Sequence, residues 1–209
     1  MPEYLLTMTP HLLEEVSFVG SCSTIDAVCS FMRVRSLKRL NVRKIDPRTS
    51  LSHVPKNVQN AMLQGAKLNR LDLGIVHIPP PKLRELLSFA DSVSELYCAM
   101  PGVEEPFGSM SLRPLQTNMD RPLSPASMSN AFLPSQDCLV ELRLNDGALS
   151  TWPGHDKTRL NVSQFACLQV LETPSSCFFD QTTFQSRKGI QKLLPCSLKM
   201  FKVCSPPIS

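Results

Sequence analysis

With 209 residues, 42% hydrophobic and 19% charged, the chain is long and apolar enough to bury a core, which excludes wholesale disorder. A formal net charge of +4 falls far short of the dense basic content of a dedicated nucleic-acid binder, and 18 Pro against 8 Gly argue for short elements joined by firm turns. No apolar run approaches the roughly 20 residues that cross a bilayer.

The N-terminal M-P-E-Y-L-L-T-M-T-P lacks the basic and apolar regions of a signal peptide, so the expected location is intracellular, cytoplasmic or nuclear. The pattern L-x-x-L-x-L then organises the chain. Its positions 4 and 6 alternate along a short strand while position 1 packs at the strand's start. It begins at Leu13, Leu37, Leu68, Val93, Leu139, Leu168 and Leu198. Most intervals between these starts fall near the 20 to 30 or so residues of leucine-rich repeats. Position 5 carries Asn41, Asp72, Tyr97, Arg143, Glu172 and Lys202 after the first unit, which predicts strands with one face in solvent.

Helices are predicted between strands. Ile25, Val28, Cys29 and Met32 share one face behind a Ser23 or Thr24 cap. Pro55 opens a second helix that carries Val58, Met62 and Leu63 inward, and Pro81 a third with Leu83, Leu86, Leu87 and Ala90 on one side. The longest interval contains residues 103–136, broken by prolines at 106, 114, 122, 125 and 134, and reads as a loop insertion. The order strand, turn, helix, strand predicts one α/β domain over residues 1–209. Its expected form is an irregular leucine-rich-repeat solenoid with an open parallel sheet and helices on the outer side.

Chemistry is read mostly as absent. The cysteines at 22, 29, 98, 138, 167, 177, 196 and 204 form no C-x-x-C pair, and the histidines at 11, 53, 77 and 155 are scattered. No metal site and no cofactor are therefore expected, and the thiols read as reduced, small hydrophobes. The motifs S-x-x-K, G-x-S-x-G, H-E-x-x-H and G-x-x-x-x-G-K-[ST] do not occur, so a non-enzyme is expected.

The run Arg33 to Arg48 is basic with one Asp, and reads as a solvated face or as a surface for an acidic or phosphate-rich partner. If the units stack in register, position 3 presents Arg39, Arg70, Glu95, Glu141, Val170 and Met200, running from basic through acidic to apolar. The residues expected to contact a partner are Arg39, Asn41, Arg43, Arg70, Asp72, Tyr97, Glu141, Arg143 and Glu172.

The phrase F-A-C-L-Q-V-L-E-T-P-S-S-C-F-F (Phe165 to Phe179), followed by L-L-P-C-S-L-K-M-F-K-V (Leu193 to Val203), resembles the irregular leucine-rich repeats of fungal F-box-like proteins. That resemblance implies repeats that hold a protein substrate behind an N-terminal F-box docked on a cullin-type ubiquitin ligase. No F-box helices are read ahead of the first strand segment, so the binding half is what carries over. The functional expectation is a non-catalytic protein-binding scaffold of unidentified partner. The alternatives are the substrate-recognition part of an F-box-type ligase receptor, binding of nucleic acid or phosphoinositide through the basic run, and a degenerate fragment without independent function.

Overall fold

The structure is a computed structural model, and it describes residues 13–18, 28, 31–32, 34, 36–42, 67–74, 80–88, 90, 92–100, 124–146, 158–179 and 189–204. Each of the seven L-x-x-L-x-L segments carries one strand: β1 Glu15–Phe18, β2 Arg39–Val42, β3 Arg70–Asp72, β4 Glu95–Met100, β5 Glu141–Asp146, β6 Val170–Pro174 and β7 Met200–Cys204. They form one sheet in chain order, every neighbouring pair parallel. Parallel neighbours cannot be joined by a tight hairpin, so the chain crosses over between every pair of strands.

The register follows the sequence pattern position by position. Val16, Leu40, Leu71, Leu96, Leu142, Leu171 and Phe201 stand side by side at position 4. From Leu40 to Leu171 these side chains are at most 1% exposed, and they join Leu37, Leu68, Val93, Leu139 and Leu168 of position 1 in a single core. A slip of one residue would turn this entire row into solvent, which is why so simple a pattern fixes the pairing.

Backbone hydrogen bonds repeat with the same regularity at the start of each strand. The carbonyl of position 2 accepts the N–H groups of both positions 2 and 3 of the next segment, from Glu14 receiving Lys38 and Arg39 to Gln169 receiving Lys199 and Met200. Side chains reinforce the same seam. The residue just before position 1 donates to the position 1 carbonyl of the preceding segment: Ser36 to Leu13 (2.9 Å), Ser92 to Leu68 (3.4 Å), Cys138 to Val93 (3.4 Å) and Ser197 to Leu168 (2.7 Å). Cys167 departs slightly and reaches the Asp137 carbonyl at 3.1 Å.

Helix α1, Pro80–Ser88, fills the crossover from β3 to β4 and buries Leu83, Leu86 and Leu87, with Ala90 buried just beyond it. This agrees with the predicted apolar side. Val28 and Met32 are buried as expected of the earlier helix, while the helix expected from Pro55 lies outside the described residues.

The expected loop at 103–136 is corrected in its second half; residues 103–123 lie outside the described residues. Pro125–Phe132 forms helix α2, and Leu133–Ser135 continues it as a 3-10 turn. Prolines that read as breakers sit where a helix tolerates them. Pro125 occupies the first turn behind an Ser124 cap whose hydroxyl accepts from Ser127 N–H at 3.2 Å, and Pro134 lies in the 3-10 turn. Met128, Ala131 and Phe132 enter the core. Ser129, one of the serines that make the segment look polar, has structural partners: its hydroxyl bonds back to the Pro125 carbonyl at 3.1 Å and accepts from Asn161 N–H at 2.7 Å.

No helix among the described residues is long and apolar enough to cross a membrane.

Candidate partner-binding face

Positions 3 and 5 of successive strands share the face turned away from the core. In strand order position 3 is Glu15, Arg39, Arg70, Glu95, Glu141, Val170 and Met200; position 5 is Ser17, Asn41, Asp72, Tyr97, Arg143, Glu172 and Lys202. The two rows lie about 7 Å apart along the strand direction, close enough for long side chains to meet across them.

Tyr97 is the centre of the contacts. The Arg70 guanidinium lies over its ring at 4.2 Å from the centroid and that of Arg143 at 5.2 Å, while its hydroxyl donates to Glu141 Oε1 at 2.5 Å. Arg143 Nε is 2.6 Å from the same Glu141 oxygen and 3.9 Å from Glu172, and Lys202 Nζ meets the other side of Glu172 at 2.6 Å. Cys204 Sγ adds a contact to Glu172 at 3.3 Å. On β3, Arg70 sits 3.8 Å from Asp72 and, across to β4, 3.7 Å from Glu95. Asp72 also accepts from Gly74 N–H at 3.1 Å, where a positive φ of 49° lets the chain turn out of β3.

Ionisation follows from these contacts. Burial, the hydrogen bond to Glu141 and the nearby carboxylate raise the Tyr97 pKa above the ordinary phenol value, against the pull of both guanidiniums. Burial works against the charge on Arg143, yet Glu141, Tyr97 and Glu172 outweigh it and hold the guanidinium more firmly protonated than usual. The hydrogen bond from Lys202 is the largest reason that Glu172 is a stronger acid than usual; burial opposes it, while Cys204 and Arg143 assist.

Six of the nine expected contact residues, Arg70, Asp72, Tyr97, Glu141, Arg143 and Glu172, are thus brought into one connected network. Arg39 stands apart from it toward β1, 3.8 Å from Glu15. Asn41 is placed between Ser17 and Asp72 by the pairing, and its Oδ1 is buried without a hydrogen-bond partner. Arg43 lies outside the described residues. Glu15, Glu95 and Lys202 were not among the expected contacts and complete the charge pairing. Reading each position 3 or 5 residue against its neighbours in the next unit for opposite charge would have found them.

That pairing alters the expected charge gradient. Position 3 runs from basic through acidic to apolar only from β2 onward, since β1 contributes Glu15, and position 5 returns opposite charge beside it. Arg39, Arg70, Arg143 and Lys202 face Glu15, Asp72, Glu95, Glu141 and Glu172, so the two rows together are close to neutral. Apolar surface is concentrated at β7, where Met200 is 56% exposed and Phe201, packed edge-to-face on Phe178 at 5.5 Å, is 37% exposed.

Among the described residues no group of three or more His, Cys, Asp or Glu side chains is arranged to hold a metal ion. Compared with known proteins, the chain matches no family model, no curated protein and no solved structure.

Proposed function

We propose that this chain is a non-catalytic, intracellular protein-binding scaffold, an irregular leucine-rich-repeat-type solenoid that presents positions 3 and 5 of its parallel sheet to a protein partner. One observation carries the reading: Tyr97, held between Arg70 and Arg143 and tethered through its hydroxyl to Glu141, at the middle of the solvent face. Tyrosine and arginine are the residues that most often dominate binding at protein interfaces. Fixed on adjacent strands, they lose little conformational freedom when a partner docks, so more of the contact energy remains as affinity.

The near-neutral charge of the face suits a protein surface with its own mixed charges better than a polyanion. The described part of the basic run points the same way, because Lys38 and Arg39 are engaged by Glu14 and Glu15.

Affinity capture with the tagged chain tests the proposal. A Tyr97→Ala/Arg143→Glu variant is compared with Arg84→Glu, a change on the exposed side of α1. Proteins retained by the wild type and by Arg84→Glu but lost with the face variant are expected. Equal recovery by all three folded chains would overturn the assignment of this face.

A further inference from the structure

Two consecutive members of the side-chain seam at the strand starts are cysteines, and they belong to neighbouring strands. We propose that Cys138 and Cys167 form a peroxide-responsive dithiol that closes into a disulfide between the starts of β5 and β6.

The placement comes first. Pairing of Glu141 with Val170 puts Cys138 and Cys167 at the same position, three residues upstream of their paired strand residues. Adjacent strands lie about 4.8 Å apart, inside the roughly 4.4 to 6.8 Å between Cα atoms that a disulfide spans. The Cys167 thiol already leans toward its neighbour, since the carbonyl that it reaches at 3.1 Å, that of Asp137, belongs to the peptide bond leading into Cys138. The Cys138 thiol points the other way, to the carbonyls of Val93 and Ser135 at 3.4 and 3.5 Å. Rotation about its χ1 brings it round.

Access sets the order of events. Cys167 is exposed and Cys138 half-buried. The Cys167 thiolate attacks one oxygen of hydrogen peroxide, the O–O bond breaks with uptake of a proton, and sulfenic acid and water result. The Cys138 thiolate then attacks the sulfenic sulfur, the S–O bond breaks with uptake of a proton, and the products are the disulfide and a second water. Two thiols are oxidised and one peroxide is reduced.

Among the described residues the other thiols are worse placed, Cys204 lying against Glu172 at the far end of β7. Cys98 and Cys177 are buried, and Cys196, although exposed, is offset by one residue from the seam position that Ser197 occupies.

The chain supplies its own controls, because serine fills the equivalent position at Ser36, Ser92 and Ser197 and makes the equivalent bond. Cys138→Ser and Cys167→Ser are therefore expected to fold, which circular dichroism checks. The full-length wild type and both variants are treated with hydrogen peroxide, labelled with a maleimide and mapped as peptides without reduction. In the wild type both cysteines should lose labelling, appear as one linked peptide pair, and regain labelling with dithiothreitol. In Cys138→Ser, Cys167 should instead accumulate sulfenic and sulfinic acid. Oxidation of wild-type Cys167 to sulfinic acid as readily as in Cys138→Ser, or its linkage to Cys196, would overturn the pairing.

Discussion

Leu96 and Tyr97 are consecutive residues of β4 with opposite duties, and truncating each separates the two faces of the sheet. Leu96 is fully buried between Leu71 and Leu142. Cutting a buried leucine back to alanine costs about 2.7 to 5 kcal/mol, the lost burial plus the cavity left behind. A chain of this size loses about 2 to 4 °C in Tm per kcal/mol, so Leu96→Ala should melt about 5 to 20 °C lower. Tyr97→Phe keeps the ring between the two guanidiniums and removes only the hydroxyl that donates to Glu141. One part-exposed hydrogen bond is worth about 1 kcal/mol, hence a drop of about 2 to 4 °C. Urea titration followed by circular dichroism gives both values, with unchanged m confirming that only stability has moved. A Tyr97→Phe cost equal to or larger than that of Leu96→Ala would mean that β4 is slipped by one residue and the faces are exchanged.

Three further outcomes follow from the same contacts. Tyr97 has its folded pKa raised above the phenol's ordinary value of about 10, so the stability it contributes is complete below that pH and is lost as pH rises through the folded value. The ultraviolet titration difference between wild type and Tyr97→Phe should be centred above the ordinary phenol value; a difference centred at that value would contradict the tether to Glu141. Glu172 is depressed, so its contribution is present above about pH 4.3 and lost as pH falls through the folded value. Glu172→Gln should therefore be less stable than wild type at neutral pH yet less sensitive to acid, a comparison made by thermal melts across that range. Ser197→Ala should cost about 0.5 to 1.5 kcal/mol in urea unfolding by removing one seam hydrogen bond, while Ser197→Cys should restore part of it.

Much of the sheet is legible in the sequence, because its determinant is local. Apolar residues at positions 1, 4 and 6 each find the same company in the next strand, so Leu40, Leu71, Leu96, Leu142 and Leu171 specify one another. The seam was present as the serine of the Ser36-Leu37-Lys38 and Ser197-Leu198-Lys199 phrases, but its purpose depends on a carbonyl more than twenty residues earlier. Helix α2 escaped notice because Pro125 and Pro134 count against a helix by composition and only their places in the first turn and the following 3-10 turn reconcile them with one. At the site, reading position 3 alone found Arg39, Arg70 and Glu141 but overstated the charge gradient. Asp72 and Arg143, which neutralise Arg70 and Glu141, stand one row over, and Tyr97 joins the rows only because the pairing puts Arg70 and Arg143 on either side of its strand. Phe201 repeats the core pattern yet remains part-exposed, since no described strand follows β7 to cover it.

The central claim is that a partner covers the face built around Tyr97, and hydroxyl-radical footprinting of the affinity-captured complex tests it most directly. Oxidation of each side chain is read by mass spectrometry with and without the captured protein. The proposed function predicts that Tyr97 is protected in the complex while Leu133 and Pro134, on the 3-10 turn beyond α2, are labelled as in the free chain. Undiminished labelling of Tyr97 in a stoichiometric complex would contradict it.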